Sequence, residues 1–455
     1  MASAHHPVVV DKLNEFYEQG VPAVFERDLS LGPLQEPARS NLVQAVVGVR
    51  RCGKTYRLYQ EMHRILEAGY DLDSILYFNF DDERLKPYET ALLDDVVESF
   101  YARNPQAKQQ GAFFFFDEVQ EIPDWGAFMR RMVDTQVATI YVTGSSSKML
   151  SLDLATEFRG RALVRELFPM GLAEYARFHG ALTSSDLVQA VQAPTGSMRA
   201  RLRRSCTDYL LQGGFIATQQ LESSDATQLL QDYANRTVNY DVIERYGVPN
   251  PSAAALFLAR CMASSGRELS VNKTYNDFRS RGIAVGREML SQLLGYYEEA
   301  YLLFAIRDYR RSLASNPRSS AKLYAADPAL FSAFSPAPSM DTGQRLETAV
   351  FNKLRRQVPS PRMGAISRAL VDKGAKRYEV DFVVGDALAL ESIQLIQVAA
   401  AIEDERTRSR ELTALELAME RFGVRESTLV TADEKGEHQA ATGVVRIVPA
   451  WEWLL

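Results

Sequence analysis

Leu42-Val43-Gln44-Ala45-Val46-Val47-Gly48-Val49-Arg50-Arg51-Cys52-Gly53-Lys54-Thr55 is the stretch on which the reading of this chain turns. An apolar run that suits a buried strand passes into Gly48-x-x-x-x-Gly53-Lys54-Thr55, and YRLYQEMHRIL follows with helical apolar spacing. Strand, glycine loop and helix in that order make a phosphate-binding P-loop. The glycines let the loop curl so that the amides of Gly48, Val49, Arg50, Arg51, Cys52 and Gly53 face phosphate oxygens. The helix N-terminus adds a favourable field, Lys54 reaches the β- and γ-phosphates, and the Thr55 hydroxyl is a ligand for Mg²⁺. ATP and Mg²⁺ are therefore the expected cofactors. Cys52 is expected to contribute its backbone amide and not its thiol.

Working outward, three further strand-like runs end in polar residues. Ile75 to Phe80 runs into Asp81-Asp82-Glu83. The four phenylalanines Phe113 to Phe116 meet Asp117-Glu118, a Walker B pattern in which Asp117 holds the Mg²⁺ water shell and Glu118 polarises the attacking water. Thr139 to Thr143 meets Gly144-Ser145-Ser146-Ser147, where Thr143 or Ser145 is placed as a polar sensor beside the γ-phosphate or forms a turn. Ala162 to Leu167 is a last short run. Arg159 and Arg161 just before it are candidate fingers for a neighbouring subunit, with a solvated loop as the alternative. Strands that are apolar on both faces and alternate with helices predict a parallel sheet covered by helices, over residues 28–180.

Composition bounds the rest. The 455 residues suggest about three domains. The 24% charged fraction with 18 Pro and 26 Gly excludes a low-complexity or disordered chain. Three separated cysteines without a CxxC spacing exclude a disulfide framework and a zinc site. Neither a signal peptide nor a membrane-spanning run is read, so a cytoplasmic protein without membrane partners is expected. The net charge of −6 removes bulk charge as an argument for nucleic acid without excluding a local basic surface.

Beyond the first domain, residues 1–27 read as an N-terminal helix and 181–250 as a helical lid or linker. Residues 251–334 carry three helical segments and a strand pair, compatible with a winged helix or with a helical spacer ending in a hairpin. Between Arg267 and Lys322 ten Lys or Arg stand against six Asp or Glu. Arg307, Arg310 and Arg311 fall on or near the wing, and Arg279 and Arg281 end a candidate recognition helix. Phosphate contact with double-stranded DNA is the functional reading and plain surface charge the alternative. After the linker-like Ser335-Pro336-Ala337-Pro338-Ser339, residues 335–455 read as a mixed α/β domain.

The segments GVRRCGKT, YFNFDDERL, FFFFDEVQEIPDW, YVTGSSSKML and FRGRALVRELFPMGLAEY resemble the prokaryotic AAA-type (AAA+) ATPases that carry a C-terminal domain of unknown function. GQRLETAVFNKLRR, RYEVDFVV, LIQVAA and VPAWEWLL resemble that C-terminal domain. The resemblance implies an α/β protein with an AAA+ P-loop parallel sheet, a winged-helix middle, and a C-terminal domain similar to the PD-(D/E)XK (restriction-endonuclease-like) nuclease fold. In that pattern Glu347 and Asp381 occupy the first two acidic places, whereas Gln397-Val398-Ala399 replaces the Glu-x-Lys pair. The amide oxygen of Gln397 is still able to touch Mg²⁺, but it brings no charge, and no ammonium replaces the lysine. An inactive nuclease-like domain is therefore expected. The leading expectation is an ATPase whose hydrolysis rearranges C-terminal modules on DNA or a partner protein, with a homo-oligomer implied by a finger in trans. A nucleotide-gated signalling or defence switch with little turnover is the alternative, and an ATP-regulated nuclease a third.

Overall fold

Three strands, β1 (Val43–Val47), β3 (Ala112–Asp117) and β4 (Ala138–Gly144), are buried along their whole length. Continuous apolar runs such as Phe113 to Phe116 permit this, because a strand covered on both faces has no solvent side. The computed structural model describes residues 6–144, 160–309, 321–335, 342–358, 365–385 and 393–455, which form two compact units divided at Leu167 and Phe168.

The first unit is built on five parallel strands in the order β2-β3-β4-β1-β5, where β2 is Ile75–Asn79 and β5 is Ala162–Glu166. The helices Lys54–Glu67 and Trp125–Thr135 both pack on β4. Leu58, Met62 and Ile65 make the buried stripe of the former at helical spacing. Phe115 stacks on Tyr141 with ring centroids 4.5 Å apart, joining β3 to β4. Arg57 and Glu61 form a buried pair at 3.1 Å one turn apart, and Arg57 Nε also donates to the Leu29 carbonyl. The strand order inserts β4 between β1 and β3, so the end of β4 stands between the P-loop and Asp117.

The second unit begins with helical segments, among them Leu172–Phe178, Gly196–Gln212 and Ser223–Thr237, the last passing into a wider π-helical turn at Val238–Glu244. Helix Pro251–Ala263, strand β6 (Arg267–Leu269), helices Val271–Ser280 and Arg287–Glu299, and strands β7 (Leu303–Ile306) and β8 (Ala321–Ala325) follow. The strands form an antiparallel sheet in the order β6-β8-β7. The sequence predicts only a strand pair here. The third strand, β6, has three residues and is too short to show a period of two. Asp327 begins helix Pro328–Phe334, accepting from Ala329 N at 2.8 Å and from Gly214 N at 2.7 Å. Burial pushes its carboxyl up to about 6, against the pull of those donors.

A six-stranded sheet completes the unit in the order β13-β14-β12-β11-β10-β9. Its strands are β9 (Ile366–Lys373), β10 (Lys376–Val384), β11 (Gln394–Ala399), β12 (Glu426–Thr431), β13 (Gly436–Ala440) and β14 (Gly443–Pro449). Helices Thr342–Gln357 and Glu405–Phe422 pack against it, the latter through Leu412, Leu415 and Met419. The two sheets of this unit are stitched by backbone: Tyr309 N donates to Arg368 O at 2.7 Å and Arg368 N to Arg307 O at 3.0 Å.

Candidate functional site

The loop after β1 closes as its residue types require. Gly48 has φ 151°, and a side chain's first carbon there would lie 2.0 Å from the Leu167 carbonyl oxygen. Gly53, at φ 101°, starts the helix Lys54–Glu67. Both positions are thus closed to residues with a side chain, one by backbone crowding and the other by conformation. Arg27, itself buried, donates to the Cys52 carbonyl at 2.8 Å and braces the loop from outside. Cys52 is buried, and burial pushes its thiol up despite the cations Lys54 and Arg27 nearby, which leaves no reactive thiolate.

Lys54 Nζ folds back on the loop, donating to Gly48 O at 3.2 Å and Val49 O at 3.4 Å, and lies 3.9 Å from Glu118 Oε1. The Thr55 hydroxyl donates to Asp117 Oδ2 at 2.7 Å, and the Thr143 hydroxyl donates to Asp117 Oδ1. Glu118 N donates to Thr143 Oγ1 at 3.1 Å. Burial raises the Asp117 carboxyl and the charge of Glu118 adds to this, while the hydroxyls of Thr143 and Thr55 and the Lys54 ammonium oppose it. Glu118 itself sits at φ 52°, a left-handed conformation uncommon for a side chain of its size, just past the strand end.

Two residues of β2 extend the cluster. Tyr77 OH and Asn79 Nδ2 each approach Asp117 Oδ2 at 3.2 Å, and Tyr59 OH donates to Tyr77 OH at 3.0 Å. None of these three is singled out by the sequence motifs. The available signal was a tyrosine and an asparagine two apart on β2, which therefore share one face at the end of a strand next to β3. Gln120, which lies within the FFFFDEVQEIPDW segment but is given no role by that motif, donates to Glu118 Oε2 at 2.5 Å.

Of the remaining candidates, Ser145 and Arg159 lie outside the described residues. Arg161 immediately precedes β5, and its carbonyl accepts from Val43 N at 2.9 Å. Because β1 and β5 are parallel, Arg161 stands at the end of the sheet opposite the P-loop. The five residues of β1 separate the two ends by roughly 16 Å, at about 3.3 Å per strand residue. The Arg161 guanidinium pairs with Asp134.

Residues 40–176, which hold this cluster, match the family model described as AAA domain. The parallel sheet β2-β3-β4-β1-β5, with the phosphate loop leaving β1, is thus a P-loop domain of AAA type. Residues 203–341 match a model described only as a domain of unknown function (DUF8612). Among curated proteins, an uncharacterized protein of Methanocaldococcus jannaschii is 28% identical over 425 residues, covering 91% of this chain and 88% of its own. An uncharacterized protein of Haemophilus influenzae is 23% identical over 385 residues, covering 84% of this chain and 88% of its own. Among solved structures, the Orc1 protein of Aeropyrum pernix in complex with DNA aligns with TM-score 0.28 and 14% identity, over 74% of this chain and 94% of its own. Cdc6p of Pyrobaculum aerophilum aligns with TM-score 0.25 and 13% identity, over 76% of this chain and 94% of its own.

In that unit, Arg279, Arg281 and Arg307 are exposed, and Arg310 and Arg311 lie outside the described residues. Arg281 pairs with Asp277 at 3.2 Å. The nuclease-like positions do converge. Glu347 lies on helix Thr342–Gln357, Asp381 on β10 and Gln397 on β11, all lining a cavity of about 1040 Å³. One expectation is corrected here. An ammonium does stand at the site: Lys322 of β8 lies 2.6 Å from Glu347 Oε1, 2.8 Å from Asp381 Oδ1 and 2.9 Å from Glu379 Oε1. The Gln397 carbonyl oxygen accepts one bond, from Asp381 N at 3.0 Å, while Nε2 donates to Glu411 at 2.7 Å. Lys322 escaped sequence reading because it stands on a strand of another sheet. Among the described residues no helix is long and apolar enough to cross a membrane.

Proposed function

We propose that the AAA-type domain binds ATP with Mg²⁺ and hydrolyses it, and that nucleotide state drives rearrangement of the second unit on DNA or a partner protein. The observation that carries this is the meeting of Lys54, Thr55, Asp117 and Thr143 at the ends of β1, β3 and β4. The donor set fits a hard divalent cation: a hydroxyl and a carboxylate oxygen 2.7 Å apart, with the carboxylate buried. Thr55 would hold the ion directly and Asp117 through its water shell, and bound Mg²⁺ would neutralise charge on the β- and γ-phosphates.

The chain's own residues do the rest. The loop amides fix the phosphates, and Lys54, released from the Gly48 and Val49 carbonyls, neutralises the transferred group. Glu118 accepts the proton of the attacking water, and Thr143 holds Asp117 and the Glu118 backbone in place. Lys54→Ala is expected to abolish nucleotide binding, and Glu118→Gln to retain binding and lose turnover. Undiminished ATPase in Glu118→Gln would sink the assignment.

The alternative switch with little turnover is favoured by one observation. Both Glu118 carboxylate oxygens are engaged, one facing Lys54 at 3.9 Å and one bonded to Gln120 at 2.5 Å. A single turnover much slower than binding, unaffected by DNA, would select it.

The element order helix, short strand, two helices and two strands over 251–325 supports a winged-helix reading, with exposed Arg279, Arg281 and Arg307 as the phosphate contacts for double-stranded DNA. Loss of affinity with rising salt, with a slope reduced by about one per removed phosphate contact, tests it. Arg161, at the far end of the sheet, is proposed as a contact to a neighbouring copy; the mass of the nucleotide-bound protein tests that.

A further inference from the structure

The fold that the C-terminal segments resemble uses its carboxylates to hold a divalent cation, and the residues here do not fit one. We infer that Lys322 is the resident cation of this carboxylate cluster, so that the site takes no divalent metal and works as a metal-free lock between the two sheets of the second unit.

The ammonium has three protons, and three carboxylates receive them at 2.6, 2.8 and 2.9 Å. The Lys322 side chain is 7% exposed, so the charge is buried at the point where Glu347, Glu379 and Asp381 converge. A divalent ion bound to the same oxygens would lie against the ammonium, with like charges at contact distance.

Further lone pairs of the cluster are engaged within the chain. Asp381 Oδ2 accepts from Val398 N at 3.0 Å, and Glu347 Oε1 accepts a second bond from Tyr324 OH at 2.6 Å. Both ends of the Gln397 amide are bonded within the chain, and the Glu411 carboxylate that it meets is held by Arg410. Three carboxylates already outnumber the one ammonium, and Gln397 in place of an acid keeps a further negative charge from adding to that excess. Among the described residues no group of three or more His, Cys, Asp or Glu is disposed to hold a metal ion.

The lock also has a mechanical partner. Arg368 of β9, 2% exposed, pairs with Asp308 at 2.9 Å and Glu268 at 2.6 Å, both from the segment that carries the three-stranded sheet. Lys322 reaches from that sheet into the six-stranded one, and Arg368 reaches back.

The test is Mn²⁺ binding to the nucleotide-free full chain, read from the electron paramagnetic resonance signal of free Mn²⁺. The parent protein and Asp381→Asn should bind the same number of ions at millimolar Mn²⁺. Lys322→Met should gain one ion, and Lys322→Met with Asp381→Asn should lose it again. An extra Mn²⁺ in the parent relative to Asp381→Asn overturns the inference, as does Mn²⁺-dependent nicking of supercoiled DNA that Asp381→Asn abolishes. A folded Lys322→Met protein that gains no ion overturns it too. If circular dichroism shows that Lys322→Met does not fold, the parent against Asp381→Asn decides, with Glu347→Gln repeating the comparison at the opposite side of the cluster.

Discussion

Thr55 Oγ1 lies 2.7 Å from Asp117 Oδ2, although the two residues are 62 positions apart. This single hydrogen bond joins the phosphate loop to the end of β3, and its two oxygens are the ones that would hold the proposed Mg²⁺.

Thr55→Ser keeps that oxygen and is expected to retain most ATPase activity. Thr55→Ala removes it and should lower Mg²⁺-dependent turnover by about 100-fold or more, since even indirect metal contacts are worth about 10- to 100-fold. Turnover measured across a Mg²⁺ titration checks this, with the two variants separating most at low Mg²⁺.

Tyr77 is expected to position Asp117. Tyr77→Phe removes one donor to Asp117 and the acceptor of Tyr59 while keeping the ring that packs in β2. About 1 kcal/mol of stability should be lost, the usual net value of such a bond. Turnover should fall with little change in the KM for ATP. A change in KM alone would show that the phenol acts only on loop shape.

Glu61→Ala should destabilise the first unit by about 3–5 kcal/mol, because it leaves the Arg57 guanidinium buried without its carboxylate. Glu61→Ala with Arg57→Met should recover a large part of that loss. Urea unfolding of these two variants and of Arg57→Met alone, each against the parent, measures the coupling.

Asp327 gives the second unit a pH dependence. Its carboxyl is pushed up to about 6 in the folded chain from an ordinary value of 3.8, so between those values the folded state holds more protons than the unfolded state. Stability from this group is therefore greatest below pH 3.8, declines as pH rises through about 6, and is flat above, with a total change of about 3 kcal/mol. Asp327→Ala should remove this slope from the stability profile. It should also destabilise at every pH, because Gly214 N and Ala329 N lose their acceptor.

The parts of the nucleotide site that were legible in the sequence are those made by neighbours in the chain. Gly48 to Thr55 is a local structure: its backbone conformation and the helix that follows depend on residue types within a dozen positions, and those types admit few alternatives. The four phenylalanines ending at Asp117 were legible for the same reason, because a run apolar on both faces has only a covered parallel strand to occupy. Strands of three residues, such as β6, and polar residues on a strand's face, such as Tyr77 and Asn79, left no periodic signature strong enough to assign.

The sequence by itself determined that a phosphate loop, a carboxylate strand and an apolar parallel sheet are present, since each is encoded in contiguous residues. Tertiary structure alone decided which side chains meet across strands. The order β2-β3-β4-β1-β5 puts Thr143 between the loop and Asp117 and sends Arg161 to the opposite end of the sheet. In the second unit, the pairing of Phe382 with Ile396 brings Asp381 beside Gln397, and β8 delivers Lys322 to the same place from 59 residues before Asp381. Strand order and register are long-range choices, made by packing of whole faces, and no local pattern records which ammonium will arrive at a carboxylate.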